Sequence, residues 1–372
     1  MGRNCFRLLV LLAVLTISLT GCTGQTLKIG LMADLTGRAS GLGISARNGA
    51  ELAVEAINRG GGIKGKPIEL LVKDDKGLPE EAVKVDTELI QEKALLGIGH
   101  MTSGTGTATL DTFKRGNILM ISPLISTESL AGTDDLFIRV IGSNQKQGEL
   151  LAKTALAKSP VKKTAIVFEY NNRAYAREVG DYFKYIYEQG GGEIVYENSF
   201  VSSPDADLEK IASEVSASGA SGALIVTGGV DLGVLVQLIK KQSPEMMIFS
   251  GMWGMTEDAI TKGGKAIEGA YFPGVYDSQN QNSEFVSFRK SYMERYKEEP
   301  TFASLYTYET LSMVAEALKA SQKLDTASIK EALLKISHYK GLQQDFNLDR
   351  YGDSDRGYFL FQVRNANFVK AD

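Results

Sequence analysis

The chain runs to 372 residues, 43% of them hydrophobic and 23% charged. That is a globular composition with room for about two domains of ~150 residues, and it excludes collagen, coiled coil and disorder. A formal net charge of -4 without long basic runs argues against nucleic-acid binding. Only two histidines (His100, His338) and two cysteines (Cys5, Cys22) are present. No Cys/His metal cluster can be built from them and no His-containing triad is readily assembled, which excludes most metalloenzymes and thiol enzymes.

Arg3 and Arg7 precede an apolar run, Leu8 to Leu19, which leads into Leu19-Thr20-Gly21-Cys22. The run is too short for a bilayer-spanning helix and reads as an export signal covering residues 1–21. The tetrapeptide resembles the lipobox of bacterial lipoproteins. That resemblance implies a lipid on Cys22 and an exported, membrane-anchored chain, periplasmic or at the cell surface. Loss of Arg3 and Arg7 with the signal brings the charge nearer -6. Cys5 is lost as well, so no disulfide can form and stability must come from core burial.

Leu27 to Ala33 is a short apolar strand. Ser45 to Arg59 has helical spacing, with Ala50, Ala53, Val54 and Ile57 on one side, and Gly60-Gly61-Gly62 ends it. Ile68 to Lys73 is the next strand. Pro79 to Glu92 is a helix with Pro and two Glu in its first turn. Strands at Ala94 to Gly99 and Ile118 to Ser122 flank a helix at Thr107 to Arg115, and a short helix starts at Thr127.

The pattern then repeats. A strand at Thr164 to Phe168 leads to a helix at Arg177 to Gln189, closed by Gly190-Gly191-Gly192. A strand at Ile194 to Glu197, a helix at Pro204 to Ser218 and a strand at Gly222 to Thr227 follow. The two triple-glycine runs lie 130 residues apart, so a βαβαβ block occurs twice at constant offset. The expected fold is α/β, with two Rossmann-like lobes whose parallel sheets are covered by helices and whose strand ends line a shared cleft. Crossings between lobes are expected near Arg139 to Ser143, Phe272 to Asp277 and Asp349 to Gly357, where turn residues cluster in the last two. Helices at Ser283 to Lys297, Ala303 to Ser321 and Ser328 to Ile336 then return to the first lobe, and a strand at Tyr358 to Arg364 to the second. The first lobe accordingly takes residues 26–142 and 277–349, and the second 143–276 and 350–372.

At this level the chain resembles the type I periplasmic binding proteins of the Leu/Ile/Val-binding branch, which serve ABC importers. The likeness covers about residues 27 to 364. It rests on Ala33-Asp34-Leu35-Thr36-Gly37, on Gly49 to Asn58 followed by Gly61-Gly62-Ile63-Lys64-Gly65, on Asp74-Asp75, on Gly99-His100 and on Ile118 to Pro123. The resemblance implies a three-stranded hinge and a Venus-flytrap mechanism. A small ligand touches both lobes and shifts the equilibrium toward closure, and the closed form docks on a permease. The expected partners are therefore a small carboxylate ligand, ABC permease subunits and the membrane, with the protein a monomer and no cofactor.

In that family the loop after the third strand offers a hydroxyl and backbone N–H groups to the ligand carboxylate. Here the stretch is Met101 to Thr107, with Ser103 as the matching hydroxyl and Thr105 beside it. Small hydroxylated and glycine residues before a helix would also leave N–H donors for an anion. After the fourth strand the family uses a carbonyl at the position of Leu124 and a hydroxyl at that of Ser126, next to Thr127; helix capping is the competing role for both hydroxyls. Tyr175 matches a tyrosine that stacks on the ligand.

Three departures bear on specificity. Amino-acid binders of the family hold the ligand ammonium with an acid where this chain has Trp253, its one tryptophan. Two family tyrosines are replaced by Leu42 and by Val230, with Asp231 next to the latter. A buried ammonium without its carboxylate costs roughly 2 to 5 kcal/mol. Either another acid serves (Asp231, Glu169 or Asp258), or the ligand has no ammonium; the flat aromatic wall of Trp253 favours the second, an aromatic or aliphatic carboxylate.

Gly41-Leu42-Gly43-Ile44-Ser45-Ala46 matches G-x-G-x-x-A, but Asp34 to Ser40 separate it from its strand, so no nucleotide site is expected. His100 reads as a structural strand-end residue, and Asp349 to Asp355 as a polar turn rather than a calcium loop. No acid, base and nucleophile set emerges, so catalysis is not expected. A ligand-sensing regulatory protein on the same fold is the alternative function.

Overall fold

The computed structural model describes residues 26–159, 162–336 and 338–371. The expected export signal and the lipid site at Cys22 lie outside the described residues.

The first sheet is parallel throughout, in the order β2-β1-β3-β4-β5. Its strands are β1 (Leu27–Ala33), β2 (Ile68–Asp74), β3 (Leu96–Ile98), β4 (Leu119–Ser122) and β5 (Phe137–Arg139). The connecting helices are α1 (Ser40–Arg59), α2 (Pro79–Gln91) and α3 (Ser103–Gly116). β1, β3 and β4 are apolar and almost wholly buried, as strands covered on both faces must be.

The second sheet runs β12-β11-β10-β9-β8-β6-β7. Its parallel part is β6 (Lys163–Glu169), β7 (Glu193–Phe200), β8 (Gly222–Val226), β9 (Met247–Ser250) and β10 (Tyr271–Gly274). The edge is antiparallel, made by β11 (Phe359–Arg364) and β12 (Asn367–Lys370). Around it lie α4 (Asn144–Lys158), α5 (Arg173–Gln189), α6 (Leu208–Ala217), α7 (Gly229–Gln242) and the short α8 (Glu257–Gly263). The chain then returns to the first sheet through α9 (Ser283–Tyr296), α10 (Phe302–Ala320) and α11 (Thr326–Lys335), with α9 and α10 packed on α1.

The chain passes between the sheets after β5, after β10 and before β11. These crossings are tied together. The Arg139 amide donates to the Gly352 carbonyl at 3.0 Å, and the Tyr358 hydroxyl to the Gly142 carbonyl at 2.7 Å. At the third crossing the buried Arg356 donates to Glu309 of α10 at 2.6 Å and lies over the rings of Tyr306 and Phe346. A buried charge is tolerated only when it is paired and packed in this way. The Asp349 to Asp355 stretch is a turn whose Asp353 bonds Arg139 at 2.8 Å.

Three helices begin one turn or more before the residues at which periodicity starts them: α1 at Ser40, α3 at Ser103 and α5 at Arg173. Their first turns carry Gly, Ser and Thr, or Arg-Ala-Tyr, which read locally as loop. Tertiary packing overrides that local preference. Helices α4, α7 and α8 have no counterpart in the expected elements.

Candidate functional site

In each sheet the strand order reverses beside one central strand. In the first sheet the reversal lies between β1 and β3, and in the second between β6 and β8. Ligand crevices form at such switch points, outside the carboxyl ends of the strands. Here the two crevices face each other. They enclose a chamber of about 310 Å³, lined by Asp34 to Ala39 without Leu35, by Lys76 to Leu78 and Thr102, and opposite by Glu169, Asn171, Asn172, Ser202, Gly228, Val230, Asp231 and Trp253. A second, inner pocket of about 20 Å³ adjoins it and shares Thr102, Asn172 and Trp253 as its wall. Ser103, Leu124, Tyr175, Leu42, Met252 and Phe302 also line it. That volume admits little more than one water-sized group.

Thr102 caps α3, its hydroxyl accepting from the Thr105 amide at 3.4 Å. Ser103 follows in the first turn, 2% exposed, and its Oγ is buried with no hydrogen-bond partner among the described residues. The amides beyond it are engaged, which corrects the expectation of free donors. The Gly104 amide donates to Asn172 Oδ1 across the cleft at 3.0 Å, and the Gly106 amide to the Thr102 carbonyl at 3.1 Å.

On the opposite side Tyr175 sits inside α5 rather than on a loop, 4% exposed. Its hydroxyl donates to Gln147 Oε1 at 2.7 Å and accepts from the Trp253 amide at 3.3 Å. Burial pushes its phenol well above the ordinary range. The Trp253 ring meets Tyr175 edge to face, at 6.1 Å and 87°, a favourable aromatic geometry. Trp253 lines both cavities.

Three carboxylates face the chamber, each almost fully buried. Asp34 accepts the amides of Gly37 and Ala39, at 2.5 and 3.0 Å, and so folds the turn after β1. Burial nonetheless raises its pKa. Asp231, in the first turn of α7, receives both the Ser202 hydroxyl and the Arg38 guanidinium, which reaches over from the first lobe. Glu169, the last residue of β6, accepts the Thr227 hydroxyl at 2.5 Å and the Gly228 amide at 3.2 Å, both on Oε2. Burial raises its pKa against those bonds.

The structure therefore brings Ser103, Leu124, Tyr175, Leu42, Val230, Asp231 and Trp253 to the two cavities. It does not bring Thr105, Ser126 or Thr127 there. The Thr105 hydroxyl bonds Thr102 within the cap. Ser126 donates to Asn144 at 2.6 Å, and Thr127 to Glu178 at 2.6 Å while capping the turn Glu128–Leu130. These two hydroxyls tie the lobes together behind the cleft. Asp258, on α8, does not line the chamber. Arg38, Asn172 and Ser202 are cleft residues that sequence reasoning missed. Asn172 and Ser202 carry no binding signal by type, and Arg38, an anion-binding type, could have been singled out only by its place after the first strand.

A family model described as Periplasmic binding protein matches residues 26–367. The chain is 27% identical over 267 residues to the Leu/Ile/Val-binding protein homolog 3 of Brucella melitensis, covering 71% of each. Among solved structures it is similar to the branched-chain amino acid transporter substrate binding protein LivJ of Streptococcus pneumoniae in complex with isoleucine. There the TM-score is 0.85 at 24% identity, covering 92% of this chain and 98% of that one. It is also similar to an ABC-transporter solute binding protein of R. palustris in complex with benzoate. That TM-score is 0.83 at 21% identity, covering 93% and 95%. The match to the family model runs through both lobes and every segment that reaches the cleft, and on it the chain belongs to the periplasmic binding protein family, in the type I fold of its Leu/Ile/Val-binding branch.

Proposed function

We propose that this protein is the extracytoplasmic substrate-binding lipoprotein of an ABC importer, anchored through Cys22, and that it captures a small carboxylate-bearing molecule between its lobes. The observation that carries this reading is the Ser103 hydroxyl: buried, without a partner among the described residues, at the start of a 14-residue helix and facing the inner pocket. A buried hydroxyl without a hydrogen bond costs about 1–3 kcal/mol. A carboxylate oxygen in the pocket would satisfy it and would lie in the favourable field of the helix N-terminus. Isoleucine and benzoate, the ligands of the two similar solved proteins, both carry such a group.

The lobes in this reading are residues 26–142 with 277–349, and 143–276 with 350–372. Closure is a hinge motion about the three crossings. The contacts of Arg38 with Asp231 and of Gly104 with Asn172 belong to the closed state. A ligand touching both lobes adds to them and draws the population toward the form that a permease would read.

The test is fluorescence of Trp253, titrated with leucine and with aromatic and short aliphatic carboxylates. Saturable shifts are expected with carboxylates and none with the corresponding amides. Equal responses to acid and amide would sink the carboxylate reading.

A further inference from the structure

We propose that Glu169 is the cation receptor of the cleft, so that the ligand bears a protonated amine or guanidinium set apart from its carboxylate by the wall of Thr102, Asn172 and Trp253. The inference rests on the carboxylate reading above and extends it to the other end of the ligand.

The argument is one of charge and satisfaction. Of the acids that could replace the one lost at Trp253, Asp258 stands away from the chamber and Asp231 is neutralised by Arg38. Asp34 has each oxygen on an amide of its own turn. Glu169 differs from all three. Both of its bonds fall on Oε2, and its Oε1 has no hydrogen-bond partner among the described residues. The side chain is about nineteen-twentieths buried, and what it exposes faces the chamber. The cations nearby do not cancel it. Arg38 lies close enough to be felt, but it sits on Asp231, which leaves the Arg38, Asp231 and Glu169 trio with one net negative charge. Lys76, at the rim, is half exposed and turned toward Glu81. Glu169 Oε1 is not one of the buried atoms left without a partner; it opens onto the chamber, where a cation can reach it, while burial of the rest of the group raises its pKa.

The location also sets the spacing. Ser103 lines the inner pocket and not the chamber; Glu169 lines the chamber and not the inner pocket. The inner pocket has room for little more than one water-sized group, so it takes a carboxylate oxygen and not the chain behind it. A ligand using both must carry its amine some bonds away, past the indole of Trp253. A Cβ built on Gly228 would lie 3.6 Å from that indole, and the amide of Gly228 is bonded to Glu169, so ring and acid stand side by side. An ammonium there gains the carboxylate and a cation–π contact together.

The experiment is calorimetric titration of the purified protein with three matched sets: ω-amino and guanidino carboxylates of three to six carbons, their α-amino isomers, and the same chains without an amine. The distal-amine set is expected to bind at least tenfold more tightly than either other set. Glu169→Gln retains an oxygen that can accept from Thr227 and Gly228 and is expected to erase that preference. Glu169→Asp is expected to restore part of it. If amine-free carboxylates bind best, or the preference survives in Glu169→Gln, the receptor role is overturned while the carboxylate reading stands. If no carboxylate of any set binds, both fall.

Discussion

Arg38 and Asp231 meet across the cleft, with Ser202 joined to both. Arg38 comes from the turn after β1, whereas Asp231 and Ser202 belong to the opposite lobe. The guanidinium is 42% exposed and the carboxylate 6%. The pair is therefore worth about what exposed pairs are worth, ~1 kcal/mol, or about fivefold in the closed population. Arg38→Ala is expected to open the ligand-free protein, visible as a larger radius of gyration in solution scattering, and to weaken ligand binding about fivefold. The wild type should drift the same way as salt is raised, and the variant should not. A variant that scatters and binds like the wild type would show that the contact does not govern closure.

Ser103→Ala separates a binding role from a structural one. The hydroxyl has no partner to lose, so the variant should be as stable as the wild type or more stable by up to ~1 kcal/mol in denaturant unfolding. A hydrogen bond to a charged ligand oxygen is worth about 1.5–3 kcal/mol, so affinity should fall at least tenfold. Loss of stability with unchanged affinity would mean the hydroxyl serves the fold and not the ligand.

Much of this arrangement was legible in the residues. Leu27 to Ala33 is apolar without interruption, and the triple glycines repeat at constant spacing, so the strands and the doubling of the lobe can be read directly. Ser103, Tyr175 and Trp253 could be found because the family resemblance matches their positions to residues that face the ligand. What could not be read is partnership. Arg38 sits in a glycine turn and looks solvated, yet its partner is 193 residues away. Ser126 and Ser103 are alike as letters; only the packing gives Asn144 to one and nothing to the other. The start of α1 was misplaced for a related reason. Gly41 and Gly43 read as loop, yet both are helical, and position 43 must be glycine because a Cβ there would lie 1.8 Å from the Asp34 carbonyl oxygen. The glycine answers to a neighbouring backbone, not to its own φ and ψ.

The same logic makes Gly49 a test of the α1–α10 interface. A Cβ at Gly49 would stand 2.1 Å from the Ser304 carbonyl oxygen and 2.8 Å from its carbon, backbone atoms that cannot rotate away. Gly49→Ala is expected to destabilise the protein by about 1–3 kcal/mol through overpacking, read as a lower urea midpoint with unchanged slope. Gly60→Ala is the control. Its φ is -77° and its nearest neighbours would lie at 3.4 Å, so it should be neutral or slightly stabilising. Equal effects at both positions would refute close backbone approach as the cause.

His100 yields the pH prediction. It is fully buried behind the chamber, with Nδ1 2.6 Å from Asp75 and Nε2 3.1 Å from Asp86, so the ring links the turn after β2 to α2. Burial alone would lower its pKa. The charge of Asp86 and the bonds to both carboxylates prevail and hold it at about 9, above the ordinary 6.5. A group raised on folding stabilises fully below its unfolded pKa and loses that contribution as pH rises through the folded value. Stability should therefore decline between about pH 6.5 and 9, by up to ~3 kcal/mol at ~1.4 kcal/mol per pH unit. His100→Gln cannot carry the charge and should be less stable at pH 6 yet nearly flat across that window. Denaturation midpoints taken at half-unit steps would decide it. A wild-type profile as flat as the variant's would mean that the folded cluster of His100, Asp75 and Asp86 holds no extra proton in this window.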